Sequence, residues 1–232
     1  MSKKGKTKTF FKILLRIFLF FIAITIVPVI IYKFIPIPAS PLMFVRTLEM
    51  KSKGESVHIN YNWISIDKMS PYLFQAAIAA EDDNFLEHFG FDFDAIKKAF
   101  KSNQKNVKRI KGGSTISQQT AINVFLWSHR DYIRKGLEAW FTALTELVWG
   151  KKRIMEVYLN VVELGDGVFG VEVASQKYFK KSASKLSKSE AAALIAVFPN
   201  PRVYRVINPS AYTQRYKWAI LKRMNMMPEV KF

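Results

Sequence analysis

Ala79-Ala80-Glu81-Asp82-Asp83-Asn84-Phe85-Leu86-Glu87-His88-Phe89-Gly90 sets a carboxylate at the end of an apolar run. The run opens with Ser70 and Pro71, an N-cap residue followed by proline at the first helical position. Leu73, Phe74, Ala77 and Ile78 recur at three- and four-residue spacing, which predicts a helix with those residues on one face. Glu81 and Phe85 extend that stripe. A carboxyl group pressed against apolar surface loses solvation, so its pKa rises toward the range of a general acid or base. Taken alone, the spacing favours the plainer alternative, a helix-end carboxylate that reaches water. What tips the balance lies further along the chain.

After Ser70 almost everything reads as helix. Asp92 or Asp94 caps a helix to about Ser102, and Ser114 one to about Leu126. A third runs from Asp131 to Trp149 and stops at Gly150, and a fourth covers Lys152 to Asn160. Gly170 to Phe179 follows. Ser187-Lys188-Ser189-Glu190 then forms a capping box before an alanine-rich helix that ends at Pro199. Asn208-Pro209 opens the last helix, to about Met226. Only Ser56 to Tyr61 alternates, weakly, as a short strand would. The expected fold class is mainly α, a single domain without internal repeats.

Thirty-six Lys and Arg stand against 18 Asp and Glu, a formal charge of +18. Lys3, Lys4, Lys6, Lys8, Lys12, Arg16 and Lys33 carry part of the excess with no acid among them, and the remainder of the chain is basic as well. A basic body predicts an anionic partner. With no cysteine there is no disulfide and no thiolate metal site. His58, His88 and His129 lack metal-ligand spacing, so no metal site is expected.

Phe10 to Tyr32 is almost wholly apolar, with Lys12 and Arg16 near one end, and it follows four lysines. The length approaches the roughly 20 residues of a spanning helix, Pro28 is tolerated there, and the positive-inside bias puts the N-terminus in the cytoplasm. The run exceeds a signal-peptide core, and Ile37-Pro38-Ala39 is a poor cleavage site. The reading is a single-pass signal anchor with the rest of the chain outside, which argues against nucleic acid as the anionic partner. Pro36 to Pro41 is a stiff linker leaving the membrane.

Two further constellations bear on chemistry. Gly112-Gly113-Ser114-Thr115-Ile116-Ser117-Gln118-Gln119 is a glycine-led loop opening a helix whose first turn holds no acid. Its amide groups are expected to be free for an anion, and its two glutamines suit sugar hydroxyls. An ordinary Ser-capped helix fits the stretch equally well. Arg130, Arg134 and Glu138 follow at four-residue intervals with Lys135 beside them, and Leu137, Trp140, Phe141, Leu144, Leu147 and Val148 would form the buried side of that helix. Spacing alone favours a solvated ion-pair ladder there, with a diphosphate-stabilising rail as the functional alternative. Lys152 and Glu156 read as a surface pair.

Glu81-Asp82-x-x-Phe85-x-x-His88-x-Gly90, Gly112-Gly113-Ser114-Thr115-x-x-Gln118-Gln119, Arg134-Lys135-x-x-Glu138 and Ile154-x-x-Tyr158-Leu159-Asn160 resemble, in order, the successive motifs of the peptidoglycan glycosyltransferases. Gly167 to Glu172 with Tyr178-Phe179 continues the likeness, which spans about residues 60 to 210. Four ordered motifs are specific where one would be weak. The resemblance implies a lysozyme-like domain over residues 61–232, after a basic cytoplasmic tail (1–9), an anchor (10–33) and a linker and membrane-proximal segment (34–60). It implies polymerisation of lipid II into β-1,4 glycan strands with inversion and release of undecaprenyl diphosphate. Its partners would be lipid II, the growing strand, the bilayer and other wall-synthesis proteins at the outer face of the bacterial inner membrane.

By the same resemblance Glu81 deprotonates the acceptor hydroxyl and Glu138 is the second carboxylate, near the donor diphosphate. Arg130, Arg134 and Lys135 neutralise the leaving group. Asp82, Phe85, His88, Gly112, Gly113, Ser114, Thr115, Gln118, Gln119 and Asn123 belong to the substrate cleft. The family usually carries a lysine three residues after the second glutamine, where this chain has Ile122. The basic rail or a divalent cation, Mg or Mn, would have to take over its charge; no cofactor is otherwise required. The rivals are a lysozyme-like hydrolase of the same polymer, which would have little use for a three-base rail, and a non-catalytic wall-binding scaffold.

Overall fold

The computed structural model describes residues 3–105, 113–127, 129, 131–230 and 232, and the side chains of these apart from 3–8, 103 and 105. It divides into two units, Met1–Pro36 and Ile37–Phe232. The first is the helix α1, Lys3–Phe34. Within it Thr9–Phe34, 26 residues, is long and apolar enough to cross a membrane, and at 1.5 Å per residue it extends about 39 Å, more than a hydrocarbon core needs. The buried hydroxyl of Thr25 is satisfied inside the helix, Oγ1 donating to Phe21 O at 2.8 Å.

The second unit is mainly α. Within the segment expected as linker and membrane-proximal chain, Pro41–Ser52 is a helix, α2, capped by Ser40. What holds it is a long-range ion pair that no local pattern reveals: the Arg46 guanidinium meets Glu163, 3% exposed, at 2.9 Å. The expected strand contracts to β1, Asn60–Tyr61. It lies parallel to β3, Val168–Phe169, whose other edge pairs antiparallel with β2, Glu163–Gly165, giving the order β1-β3-β2.

α3, Pro71–Glu81, is packed by α9, Lys188–Ile195, and α10, Ala211–Met226. It is not half-buried as its stripe suggested. Every residue from Leu73 to Ala79 is buried, because alanines fill the positions between the large side chains and let neighbours close in on all sides. Glu81 therefore lies two residues beyond a fully buried stretch of helix. Ser70 does not cap it with its side chain; Oγ donates to Leu186 O at 2.8 Å instead.

α4 spans Phe93–Lys105. α5, Ile116–Phe125, packs on α6, Tyr132–Val148, and on α7, Gly150–Val161. α7 begins at Gly150 rather than after it, since glycine takes φ +71° there and turns the chain directly into the next helix. Ile154 to Val161 are all buried, with Tyr158 at 0% exposure. Asn160 ties α7 to the chain before α3, accepting from Ile64 N at 2.9 Å and donating to Ile64 O at 2.9 Å. The Lys152–Glu156 surface pair does not form. Glu156 is buried and binds Arg153 at 2.6 Å, while Lys152 reaches Asp67 at 2.8 Å. α8, Val171–Phe179, starts at Gly170, whose φ of +80° and approach to Asn160 O leave no room for a Cβ. α10 starts two residues later than expected, capped by Ser210 Oγ, which accepts from Thr213 N.

Candidate active site

The site is built on α5. Its N-cap is Thr115 rather than Ser114: Thr115 Oγ1 accepts from Gln118 N, and the Gln118 amide oxygen accepts from Thr115 N at 3.0 Å, a reciprocal box with glutamine in the place glutamate often takes. Thr115 Oγ1 also donates to Gly90 O at 2.7 Å, which fastens this end of α5 to the turn after α3. Gly90 sits at φ +79°, and a Cβ there would meet Thr142 Cγ2 at 2.7 Å.

The loop after α3 closes on the same helix. Asp82 is buried, accepting from Ile116 N at 3.0 Å and facing His88 Nε2 at 2.9 Å. The first-turn amides of α5 are thus not free for an external anion, as their acid-free sequence suggested. The missing acid arrives from 34 residues upstream. Phe85 is fully buried, edge-on to His88, with Lys151 Nζ 4.5 Å above its ring. Phe85 and His88 thus shape the loop, and Asp82 pins it to the start of α5. His88 Nδ1 is buried with no hydrogen-bond partner among the described residues.

The two glutamines address the two carboxylates. Gln119 Nε2 donates to Glu81 Oε2 at 2.9 Å, and its own oxygen accepts from Tyr158 Oη at 3.1 Å, which fixes the amide orientation. Gln118 Nε2 donates to Glu138 Oε1 at 3.2 Å. Amides expected from sequence to suit sugar hydroxyls thus each donate to a carboxylate here. Burial pushes the Glu81 carboxyl above its ordinary value, helped by the neighbouring charge of Asp82 and opposed by the Gln119 hydrogen bond. Burial likewise raises Asp82, against the His88 and Ile116 hydrogen bonds.

α6 does not present a solvated ladder. Glu138 is 2% exposed and Arg134 9%, and the buried side of the helix also takes in Thr142, Thr145 and Glu146. Of the apolar residues expected there, Phe141 and Leu144 are buried, whereas Leu147 is 75% exposed. Lys135, largely exposed, pairs with Glu138 Oε1 at 2.5 Å. Arg134 Nε is buried without a hydrogen-bond partner among the described residues. A residue that sequence reading did not single out, Glu146, is a buried junction: it accepts from Ser117 Oγ at 2.5 Å and from Lys151 Nζ at 2.6 Å. Gly112 and Arg130 lie outside the described residues.

A cleft of about 190 Å³ opens at Glu81. Its walls come from Ala80 to Asn84, Asp92, Lys98, Gly113 to Thr115 and Arg223. Glu138, Gln118 and Asn123 are not among them. Arg223, on α10, was not foreseen, because it comes 144 residues after Ala79, whose carbonyl oxygen accepts from its Nη1 at 2.9 Å only after folding. Ile122, at the position of the family lysine, is partly buried. Among the described residues no group of three or more His, Asp or Glu is placed to hold a metal ion.

Residues 49–225 match the family model described as transglycosylase. A Bdellovibrio bacteriovorus protein named biosynthetic peptidoglycan transglycosylase is 49% identical over 221 residues, 95% of this chain and 88% of that one. A Caulobacter vibrioides protein of the same name is 50% identical over 203 residues, 88% of this chain and 86% of its own. One from Haemophilus influenzae, again of that name, is 49% identical over 209 residues, 90% and 85% of the two chains.

Proposed function

The chain belongs to the transglycosylase family, and we infer that it is a peptidoglycan glycosyltransferase that joins lipid-linked disaccharides into β-1,4 glycan strands. The observation that carries the mechanism is the half-buried Glu81, held by Gln119 at the mouth of the cleft. Its raised proton affinity suits it to take the proton from an acceptor sugar 4-hydroxyl. The hydroxyl oxygen then forms the new bond to the donor anomeric carbon from the face opposite the diphosphate. The bond to the diphosphate oxygen breaks with its electron pair, and the configuration inverts. Negative charge develops on the departing diphosphate. Lys135 is exposed enough to turn from Glu138 toward it, and the Nε of Arg134, without a partner among the described residues, is a donor in want of an anion. In this reading Glu138 keeps the Lys135 ammonium in place until substrate arrives.

A lipid-linked substrate requires the reaction to run at a membrane surface. The Thr9–Phe34 helix supports anchoring, and we place its basic N-terminal end in the cytoplasm and the catalytic unit on the outer face of the inner membrane. Exposed Phe93, Ile96 and Phe100 at helical spacing on α4, interleaved with Lys97, Lys98 and Lys101, support contact of the catalytic unit with lipid. A divalent cation at the diphosphate remains part of the proposal as a substitute for the charge that Ile122 does not supply.

The test is donor dependence. Detergent-solubilised protein given labelled lipid II is expected to form polymer that a muramidase degrades, and to leave preformed lipid-free strands uncut. Cleavage of those strands without polymer would make it a hydrolase; binding without turnover would make it a scaffold. Chelation of divalent cations during the assay reads the metal requirement directly.

A further inference from the structure

The glycosyltransferase reading, on which this inference rests, leaves one surface of α10 unused. Tyr212, Tyr216, Ala219 and Arg223 follow at helical spacing and so share a face. Arg223 lines the cleft at Glu81, and Tyr216 Oη reaches Ala80 O at 3.4 Å, next to that carboxylate. Outward from Tyr216 the aromatic rings continue. Tyr212 lies 6.5 Å from it at an interplanar angle of 25°, and Tyr204 lies 5.3 Å from Tyr212 at 41°. Tyr212, Arg215, Tyr216 and Ala219 surround a hollow of about 390 Å³, and the methyl of Ala219 leaves its floor open.

We propose that Tyr216, Tyr212 and Tyr204 form an aromatic ladder that holds the glycan strand beyond the reacting sugars, with the hollow beside Tyr212 as a hexosamine subsite. A pyranose ring has an apolar C–H face and a polar rim. It matches a tyrosine, whose flat face is apolar and whose hydroxyl is wet. Arg215, exposed at the edge of the hollow, adds a cationic donor for ring oxygens and hydroxyls. Three tyrosines are a poor surface for an acyl chain, which would leave their hydroxyls unmatched. Tyr212, 45% exposed, stands clear of the core. The tyrosines' continuity with the cleft is what selects the occupant. A ligand that begins at Glu81 and is longer than one disaccharide runs out along this face.

The experiment uses the full chain in detergent and, as probes, lipid-free β-1,4 GlcNAc–MurNAc oligomers of two to eight sugars, with binding measured calorimetrically. Affinity is expected to rise with oligomer length in the wild type. Tyr212→Ala and Tyr204→Ala should abolish that rise, Tyr212→Trp should keep it, and Trp218→Ala, on another side of α10, should leave it unchanged. With lipid II, the two alanine variants should yield strands several-fold shorter at equal substrate consumption. Oligomer binding that does not increase with length, or that Tyr212→Ala leaves intact, overturns the ladder. If length-dependent binding is present and sensitive to Tyr212 while lipid II gives no polymer, the subsite stands and the polymerase reading falls.

Discussion

At the scale of single residues, the chemistry depends on how Glu81 is kept both half-buried and ionisable. Burial raises its proton affinity and Gln119 pulls it back, so the two effects set where the base is active. A general base works only when deprotonated. The rate should therefore fall as pH drops through the Glu81 pKa, with the acid limb above the ordinary glutamate value of 4.5. Gln119→Ala removes the hydrogen bond that favours the carboxylate, so the limb should move to higher pH in a pH–rate profile. An unmoved limb would mean that another group controls it. The apolar stripe pointed toward Glu81 but by itself favoured a carboxylate that reaches water; the ordered motifs singled it out. The work of Gln118 and Gln119 was not legible, since an amide that orients an acid and one that meets a sugar look alike in sequence. Only the folded distances to Glu138 and Glu81 separate them.

Among the elements, helix positions were legible from caps and glycines, and buried polar surfaces were not. Asp131 caps α6 and Ser187 forms its box with Glu190 at the places their sequence indicates. Yet reading charge as solvent-facing put Glu138 and Glu146 on the outer side of α6, whereas both are buried and satisfied by partners on other elements. The strands β2 and β3, three and two residues long, are too short to show a period of two. The tight junction of the α3 loop with α6 makes a sharp prediction. Gly90→Ala forces a side chain into left-handed backbone and against Thr142, and should lower unfolding free energy by about 1–3 kcal/mol in chemical denaturation. Asn160→Ala leaves both main-chain groups of Ile64 unpaired in the interior. It should also cost about 1–3 kcal/mol, with little effect on the pH profile of the folded fraction. Wild-type stability in either variant would show that these contacts do not form.

For the whole molecule, four motifs scattered over the chain specified the family before any contact was known, because their order is far more restrictive than any one of them. The part that order cannot reach is what other elements bring to the cleft, such as Arg223 from α10. The anchor carries its own prediction. An N-terminal epitope tag should resist protease added to spheroplasts while the catalytic unit is degraded, and digestion of the tag from outside would reverse the assigned orientation. The central claim is that Glu81 is the base of a lipid-linked glycosyl transfer. It is tested most directly by comparing wild type with Glu81→Gln on labelled lipid II, with thermal unfolding of both to confirm an intact fold. A neutral amide of the same shape keeps the packing but cannot take the proton, so the strand-forming rate should fall by about 10²–10⁴-fold, the span of general-base catalysis. Polymer formed by the folded variant at the wild-type rate would contradict the account.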